Sequence, residues 1–424
     1  MLDIKFIREN KDLIAAAAKK KRIVFDVEAL IKADDERRVL IARVEKNRAE
    51  QNTITEMIAT RERFAPGARE DIIVRVRALK EEGERDETRL KDAMREWQRL
   101  MLAVPNIPDI SVPEGESDAE NQELRRSGEP PEFPFAPKSH LDLMRSLDLA
   151  DFERGAKVAG FRGYFLKNDG FRLSLALWQL TIDTFSEYGF TLIGAPSLLR
   201  REAFLGTGYL PGGEDDLYKT QDESYLAGTA EVPVMGYYMD EVLSREQLPL
   251  KILAFSPCYR REAGSHGKDT RGLIRVHEFF KLEQVVLCEA RHEESVRLHE
   301  ELTANAERLL ERLGIPYRLV INCGGDLGQG QVKKYDLEAW VPSEKHYRET
   351  HSSSYFHDFQ TRRLNIRYRD EEGKLRFAHS LNNTALATPR LLVPLIENYQ
   401  QQDGTIMVPE ALEKYMGKKF ISKP

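Results

Sequence analysis

Residues 255–283 read FSPCYRREAGSHGKDTRGLIRVHEFFKLE. The segment opens apolar, turns densely polar and basic around three glycines, and resumes an apolar alternation through Leu273, Ile274, Val276, Phe279 and Leu282. That succession predicts a strand, a long polar loop and a returning strand in an antiparallel hairpin. Arg260, Arg261 and Glu262 stand at the end of the outgoing strand, and Glu283 stands among apolar neighbours on the return. Arg–Glu pairs across a solvated sheet produce the same pattern and add little stability. The alternative is a functional hairpin, and only the rest of the chain separates the two.

The chain has 424 residues, a length that predicts two domains. Hydrophobic residues make up 41% and charged residues 32%, enough for a soluble, helix-rich globule with a sizeable core. The net charge of -6 excludes a global attraction to polyanions, so any such partner has to be held by local basic patches. Cys258, Cys288 and Cys323 are an odd set, too far apart for a zinc knuckle and unsuited to a disulfide framework. The opening MLDIKFIRENKDLI carries acids and no apolar core, unlike a signal peptide, and no stretch is long and apolar enough for a membrane span. A cytoplasmic protein without a membrane partner is expected.

Residues 1–25 read as one short amphipathic helix followed by a basic run, Lys19 to Arg22, in a solvated turn. From Val27, apolar and small residues recur at alternating spacings of three and four through Leu30, Ala33, Arg37, Leu40, Val44, Asn47, Gln51, Ile54 and Ile58. The pattern breaks at Ala65-Pro66-Gly67 and resumes from Ile72 through Val76, Leu79, Gly83, Asp86, Leu90, Ala93, Trp97, Leu100 and Val104. Two such runs joined by a turn near 64–69 predict an antiparallel helical hairpin, each helix about 50 Å long at roughly 1.5 Å per residue. The seam is poor at Asn47, Gln51, Gly83 and Asp86, as in an arm with a loose tip. A spacer and a binding arm both fit, and Arg61, Arg63, Arg69, Arg75 and Arg77 near the tip could meet phosphates.

Residues 106–137 are proline-rich and read as a linker, which divides the chain into an arm (1–105), a linker and a second domain (138–424). In the second domain, helices are expected at 140–152, 173–188, 293–313 and a final buried one at 390–401. Strands are expected at 190–195, 224–227, 252–259, 275–287, 317–321, 334–340 and 363–369. Without regular β-α-β alternation, this is an α+β fold on a mixed, mainly antiparallel sheet flanked by helices. Neither GxGxxG nor GxxxxGK[ST] occurs, so a bound nucleotide would need another geometry.

Further polar clusters interrupt the apolar pattern. Thr229, Ala230 and Glu231 follow a strand, where Thr229 could simply cap a helix. Tyr347–Ser354 holds Glu349, Thr350, His351 and Ser352, and reads equally as a surface loop. Ser380–Ala385, with Thr384, leads to Arg390 at the opening of an apolar helix. A cation there opposes the helix dipole, so an anionic partner is expected. Two arginines and several acids, with no nucleophile–base arrangement, suit phosphate chemistry by charge stabilisation, with Mg²⁺ held by acids.

In their order, these segments resemble a class II aminoacyl-tRNA synthetase of the bacterial seryl type. The resemblance runs from MLDIKFIREN through VPNIPD, GEPPEF, GTGYLP, GTAEVP and the quoted hairpin to YRETHSSS, DFQTRRLNIRYR, LNNTALATPRLLVPLIENYQ and GTIMVPEAL. It implies ATP-dependent activation of L-serine to seryl-adenylate, then transfer to the terminal adenosine of tRNA(Ser), and commonly also tRNA(Sec). It further implies a homodimer, with Pro196 in the dimer-forming motif, an arm laid along the tRNA's long variable region, and Mg²⁺ without zinc.

Residue by residue, the resemblance assigns catalysis to Arg260, on the α-phosphate, and Arg390, on the γ-phosphate. Glu262 would read the adenine amino group, Phe279 would stack on the ring, and Arg261, Thr350 and His351 would complete the ATP contacts. Glu349 and Ser352 would hold Mg²⁺ and the phosphate side of ATP. Thr229, Ala230, Glu231, Arg260, Glu283 and Thr384 would enclose serine. Residues 263–272 would be ordered by ATP and then by the tRNA end. Three departures from the family pattern stand out: Thr384 for a usual serine before an unusual Pro389, His351 within the ETHSSS segment, and Phe280 for an aspartate. A catalytically inactive paralogue and an amino-acid:carrier-protein ligase are the other readings.

Overall fold

The computed structural model describes residues 1–59, 68–264, 267 and 269–423. The chain divides into two compact units, one of residues 2–18 with 24–104 and one of residues 1, 19–23 and 105–424. In the first unit, helices Val27–Ala59 and Ala68–Ala103 pack antiparallel, burying Leu30, Leu40, Val44, Leu79 and Leu100. Two of the polar seam positions, Asn47 and Gln51, are bonded within the pair. Asn47 donates to the Leu79 carbonyl at 3.0 Å and accepts from Gln51 at 2.8 Å. Gly83 leaves room for this, since a Cβ there would stand 3.4 Å from Asn47 Oδ1. A buried, bonded Asn in a helical seam sets register at some cost in stability. Arg37 lays its guanidinium over Trp97 at 4.4 Å, which explains a cation at a seam position. Distally the seam opens, and Ile58 is 51% exposed. The expected turn, with Arg61 and Arg63, lies outside the described residues. Arg75 is paired with Glu50 and Arg77 with Glu81.

The single N-terminal helix is instead two, Ile4–Glu9 and Lys11–Lys20, parted where the Asn10 amide turns back to the Phe6 carbonyl at 2.9 Å. Lys21, expected in a solvated run, is buried. Its Nζ donates to the carbonyls of Gly328, Gln329 and Gln331 at 3.1, 2.9 and 2.5 Å, which replace its water.

The second unit is built on an eight-stranded sheet: β1 (Gln122–Ser127), β2 (Thr191–Gly194), β3 (Leu250–Tyr259), β4 (Glu278–Cys288), β5 (Tyr317–Ile321), β6 (Lys333–Val341), β7 (His346–His357) and β8 (His379–Thr388). The spatial order is β1-β5-β6-β7-β8-β4-β3-β2, with every pair antiparallel except β2–β3. This is the mixed, mainly antiparallel sheet expected. Strand β1 comes from the proline-rich stretch expected as a linker, and pairs along β5. Strands β3 and β4 form the quoted hairpin, in register from Leu250–Leu287 to Tyr259–Glu278. The return strand starts at Glu278, and the Arg260 amide donates to the His277 carbonyl just beyond it.

Segments 347–354 and 380–385, read as polar interruptions, lie within β7 and β8 at the centre of the sheet. Helix His292–Arg312 covers one face and, with Gln284 of β4, bonds several of their polar groups. Thr303 donates to Ser353 Oγ at 3.1 Å, Gln284 to Asn383 Oδ1 at 2.7 Å, and Asn305 to Gln284 at 3.0 Å. Strands polar on both faces hide the alternation on which sequence reading depends. Residues 363–369 are not one strand: helix Phe359–Leu364 ends at left-handed Asn365 (φ 55°), and strand Arg367–Arg369 follows. The expected 140–152 helix is cut at Asp148 (φ 54°), whose carboxylate binds Lys167 and Asn168, leaving helices His140–Ser146 and Phe152–Ala159. The buried helix after Arg390 is Leu392–Asn398, and Glu410–Met416 follows it. No helix of the described residues is long and apolar enough to cross a membrane.

Candidate active site

Alternation along β4 places Phe279, Lys281 and Glu283 on one face. Thr384 of β8 stands opposite Glu283, and Asp336 of β6 stands opposite Ser352 of β7. Ser353 opposes Asn383, so register sets Asp336, Ser352, Thr384 and Glu283 in one row across the sheet. The row faces away from helix His292–Arg312.

At one end of the row, Lys281 Nζ lies 2.6 Å from Glu283 Oε2, and Thr384 stands directly across from Glu283 on the neighbouring strand. Burial pushes the Glu283 carboxyl up, while Lys281, Arg260 and Thr384 pull against that rise. Glu231, at the start of helix Glu231–Tyr237, is also buried. Its oxygens accept from Gln360 Nε2 at 2.6 Å and from the Tyr209 hydroxyl at 3.0 Å. Burial pushes its carboxyl up too, Gln360 offsets part of that, and Glu283 adds to it. Thr229 Oγ1 accepts from the Glu231 amide at 3.3 Å. Two buried carboxylates with one lysine form a pocket that suits an ammonium group and a hydroxyl donor.

Arg260, just past β3, lies over the Phe279 ring at 5.3 Å and donates to the Gly228 carbonyl at 3.2 Å. Arg390 donates to the Ile274 carbonyl at 3.0 Å, and its Nη1 lies 3.6 Å from Glu349 Oε1, the anionic partner that its place before a helix called for. Desolvation raises the Glu349 carboxyl, but Arg390, Lys334 and Arg260 together hold it below its usual range. Glu349 and Ser352 present oxygen donors, and Asp336 Oδ1 behind Ser352 has no hydrogen-bond partner. That donor set fits a hard divalent cation. No three His, Cys, Asp or Glu side chains among the described residues are placed to hold a metal by themselves.

A family model for the seryl-tRNA synthetase N-terminal domain matches residues 1–108, and one for the class II tRNA synthetase core domain (G, H, P, S and T) matches residues 216–399. A serine–tRNA ligase of Deinococcus radiodurans is 47% identical over 422 residues, covering 99% of both chains. This chain belongs to the seryl-tRNA synthetase family. Among solved structures, the seryl-tRNA synthetase of Pyrococcus horikoshii complexed with ATP is similar at a TM-score of 0.89, 37% identity and full coverage of both chains. The cytoplasmic serine–tRNA ligase of Naegleria fowleri in complex with AMP follows at 0.86 and 31%, covering 100% of this chain and 99% of its own.

Within this seryl-tRNA synthetase fold, not every residue assigned from sequence faces the row. The Thr350 hydroxyl donates to the Leu337 carbonyl at 3.2 Å and lies 2.9 Å from His351 Nδ1. Burial lowers the His351 imidazole to about 4, so this unusual histidine is neutral near pH 7. Arg261 is exposed, and Glu262, in the left-handed region at φ 55°, pairs with Arg275. Phe280, expected from sequence as a departure in the site, points to the opposite face, stacked on Phe255 at 6.0 Å and against Trp178, away from the row. Sequence reading passed over Lys281, Gln360, Tyr209 and Asp336. The period of two from Glu283 would have found Lys281, because a second charge on an apolar strand face needs a partner.

Proposed function

We propose that the chain activates L-serine with ATP, forming seryl-adenylate and pyrophosphate, and transfers the seryl group to the 3'-terminal adenosine of tRNA(Ser). The observation that carries this is the Lys281–Glu283–Thr384 cluster, with Glu231 beside it, between two arginines. Serine's ammonium is held by Glu231 with Thr229 and Ala230, and its hydroxyl by Glu283 and Thr384. An analogue without the hydroxyl would leave buried polar groups unpaired, a penalty of about 1–3 kcal/mol or more. Arg260 turns serine's carboxylate toward the α-phosphorus. A carboxylate oxygen attacks there, a P–O bond forms, and the bond to pyrophosphate breaks. Arg260 and Arg390 hold the charge that develops on the phosphates, and Phe279 and Glu262 hold the adenine, with Arg261 at its rim. A Mg²⁺ at Glu349 and Ser352, with Asp336 behind, neutralises phosphate charge when bound. The chemistry needs no covalent enzyme intermediate, in keeping with the lack of a nucleophile–base pair.

The helical arm (1–105) lies along the long variable region of tRNA(Ser), and of tRNA(Sec), reading shape and backbone. Its mixed, internally paired charges suit shape better than nonspecific phosphate binding. The chain acts as a homodimer through an apolar face. Val158, Phe161, Phe165, Phe171, Leu175 and Leu192, proposed to line it, are 43–73% exposed. Residues 138–424, with Pro196 near this face, form the catalytic domain, and 106–137 connect it to the arm. Three free buried cysteines suit the reducing cytoplasm.

Serine-dependent ATP–pyrophosphate exchange tests activation. A folded chain without exchange would overturn it in favour of an inactive paralogue, and exchange without tRNA charging would favour a carrier-protein ligase.

A further inference from the structure

Gln360 comes from helix Phe359–Leu364, which packs against helices Arg201–Thr207 and Glu231–Tyr237 and against β8. Its side chain is 1% exposed and fully used. Nε2 donates to Glu231 Oε1 at 2.6 Å and to the Thr207 carbonyl at 3.2 Å, while Oε1 accepts from the Ser380 hydroxyl at 2.7 Å. This orientation of the amide is the one the surroundings permit. Turned over, its oxygen would face a carboxylate and a carbonyl, both acceptors, inside a dry site.

We propose that Gln360 is a positioning residue for serine recognition: Ser380 fixes its amide, and the amide holds Glu231 as an oriented, ionised acceptor for the amino group of serine. The inference rests on the assignment of Glu231 to the serine pocket. The other groups facing Glu231 are the Tyr209 hydroxyl, which donates to its second oxygen, Glu283, which opposes its ionisation, and Lys281, which favours it. Tyr209 and Gln360 each occupy one lone pair on one oxygen. Each oxygen keeps another for the ligand. The ammonium thus meets a carboxylate whose plane is set beforehand, and its binding spends little on reorganisation.

The test is steady-state pyrophosphate exchange on the full chain with serine and ATP varied separately. Gln360→Glu places a carboxyl where the amide donor stands. Near about pH 6 that carboxyl keeps a proton and donates as Gln does; by about pH 8.5 the proton is gone and two carboxylates oppose each other. Serine KM is expected within about twofold of wild type at the lower pH and about tenfold above it at the higher, with KM for ATP and kcat unchanged. Gln360→Met, without a donor, raises serine KM about tenfold at every pH. A merely structural role would lower the thermal midpoint and leave serine KM at its wild-type value at both pH values in both variants, which would overturn the proposal.

Glu231→Gln separates the two levels. If it leaves serine KM unchanged, the assignment of Glu231 fails and the proposal falls with it. If it raises serine KM while the Gln360 variants do not, the proposal alone fails. Should the Gln360 variants not fold, Ser380→Ala frees the amide to turn and raises serine KM about threefold; an unchanged KM overturns the proposal.

Discussion

Lys281 places its ammonium 2.6 Å from a carboxylate oxygen of Glu283, and the two side chains are 6% and 2% exposed. A buried pair of this kind adds little net stability, but removing one partner strands the other and costs about 3–5 kcal/mol.

Lys281→Met is therefore expected to lower the thermal midpoint and to weaken serine use. Without the ammonium, nothing equivalent opposes the burial that raises the Glu283 carboxyl, so Glu283 holds its proton to higher pH. Serine KM rises about tenfold near neutrality and recovers as pH increases, whereas KM for ATP stays put. The pH profile of serine-dependent exchange measures this, and a pH-independent defect would contradict it.

Thr384→Val keeps the shape of the side chain and removes its hydroxyl from Glu283. The preference for serine over alanine in exchange is expected to fall by about tenfold or more, because the pocket loses one of the groups that an alanine ligand leaves unpaired. Thr384→Ser restores the hydroxyl and with it the preference.

Arg260→Ala and Arg390→Ala remove the guanidinium groups that lie over Phe279 and beside Glu349. Each is expected to slow exchange by about 10²-fold or more with the fold intact, as judged by circular dichroism and thermal melting. Lysine replacements recover only part of the rate, since a point charge cannot reproduce a planar fork.

His299, on the helix behind the sheet, donates its Nε2–H to the Ser353 carbonyl (3.0 Å) and stacks on Tyr335. Burial lowers its imidazole from 6.5 to about 4. Its folded pKa lies below its unfolded one, so between these values the unfolded chain binds more protons. Stability is full above about pH 6.5 and is lost as pH falls toward 4, by up to about 3 kcal/mol. Denaturant titrations across this range should show a shallower acid loss in His299→Gln.

Excising residues 27–104 removes both long helices and leaves the row intact. Pyrophosphate exchange should persist and charging of tRNA(Ser) should fall by orders of magnitude. Undiminished charging would reduce the arm to a spacer.

Local pattern was enough for several features. The seam spacing of three and four gives the helical pair between Val27 and Ala103. The polar interruption in 255–283 gives the β3–β4 hairpin. Each depends on neighbours within a few residues, where periodicity and turn chemistry act directly. Strands β7 and β8 escaped that logic because Ser353 is buried against Thr303 of a helix and Asn383 against Gln284 of β4. Their polarity records partners distant in sequence, which a local pattern cannot contain.

The sequence by itself determined the two-part organisation, the hairpin, and the residue types and order that mark the family. Only the tertiary structure decided which of those residues share a face. Register across β6, β7, β8 and β4 brings Asp336, Ser352, Thr384 and Glu283 into one row, turns Phe280 to the other side, and keeps Thr350 and His351 bonded to each other. It also brought Gln360 to Glu231 over 129 residues of chain. The physical reason is that a buried charge must be matched wherever it lies, and the matching group can come from any element that packs there.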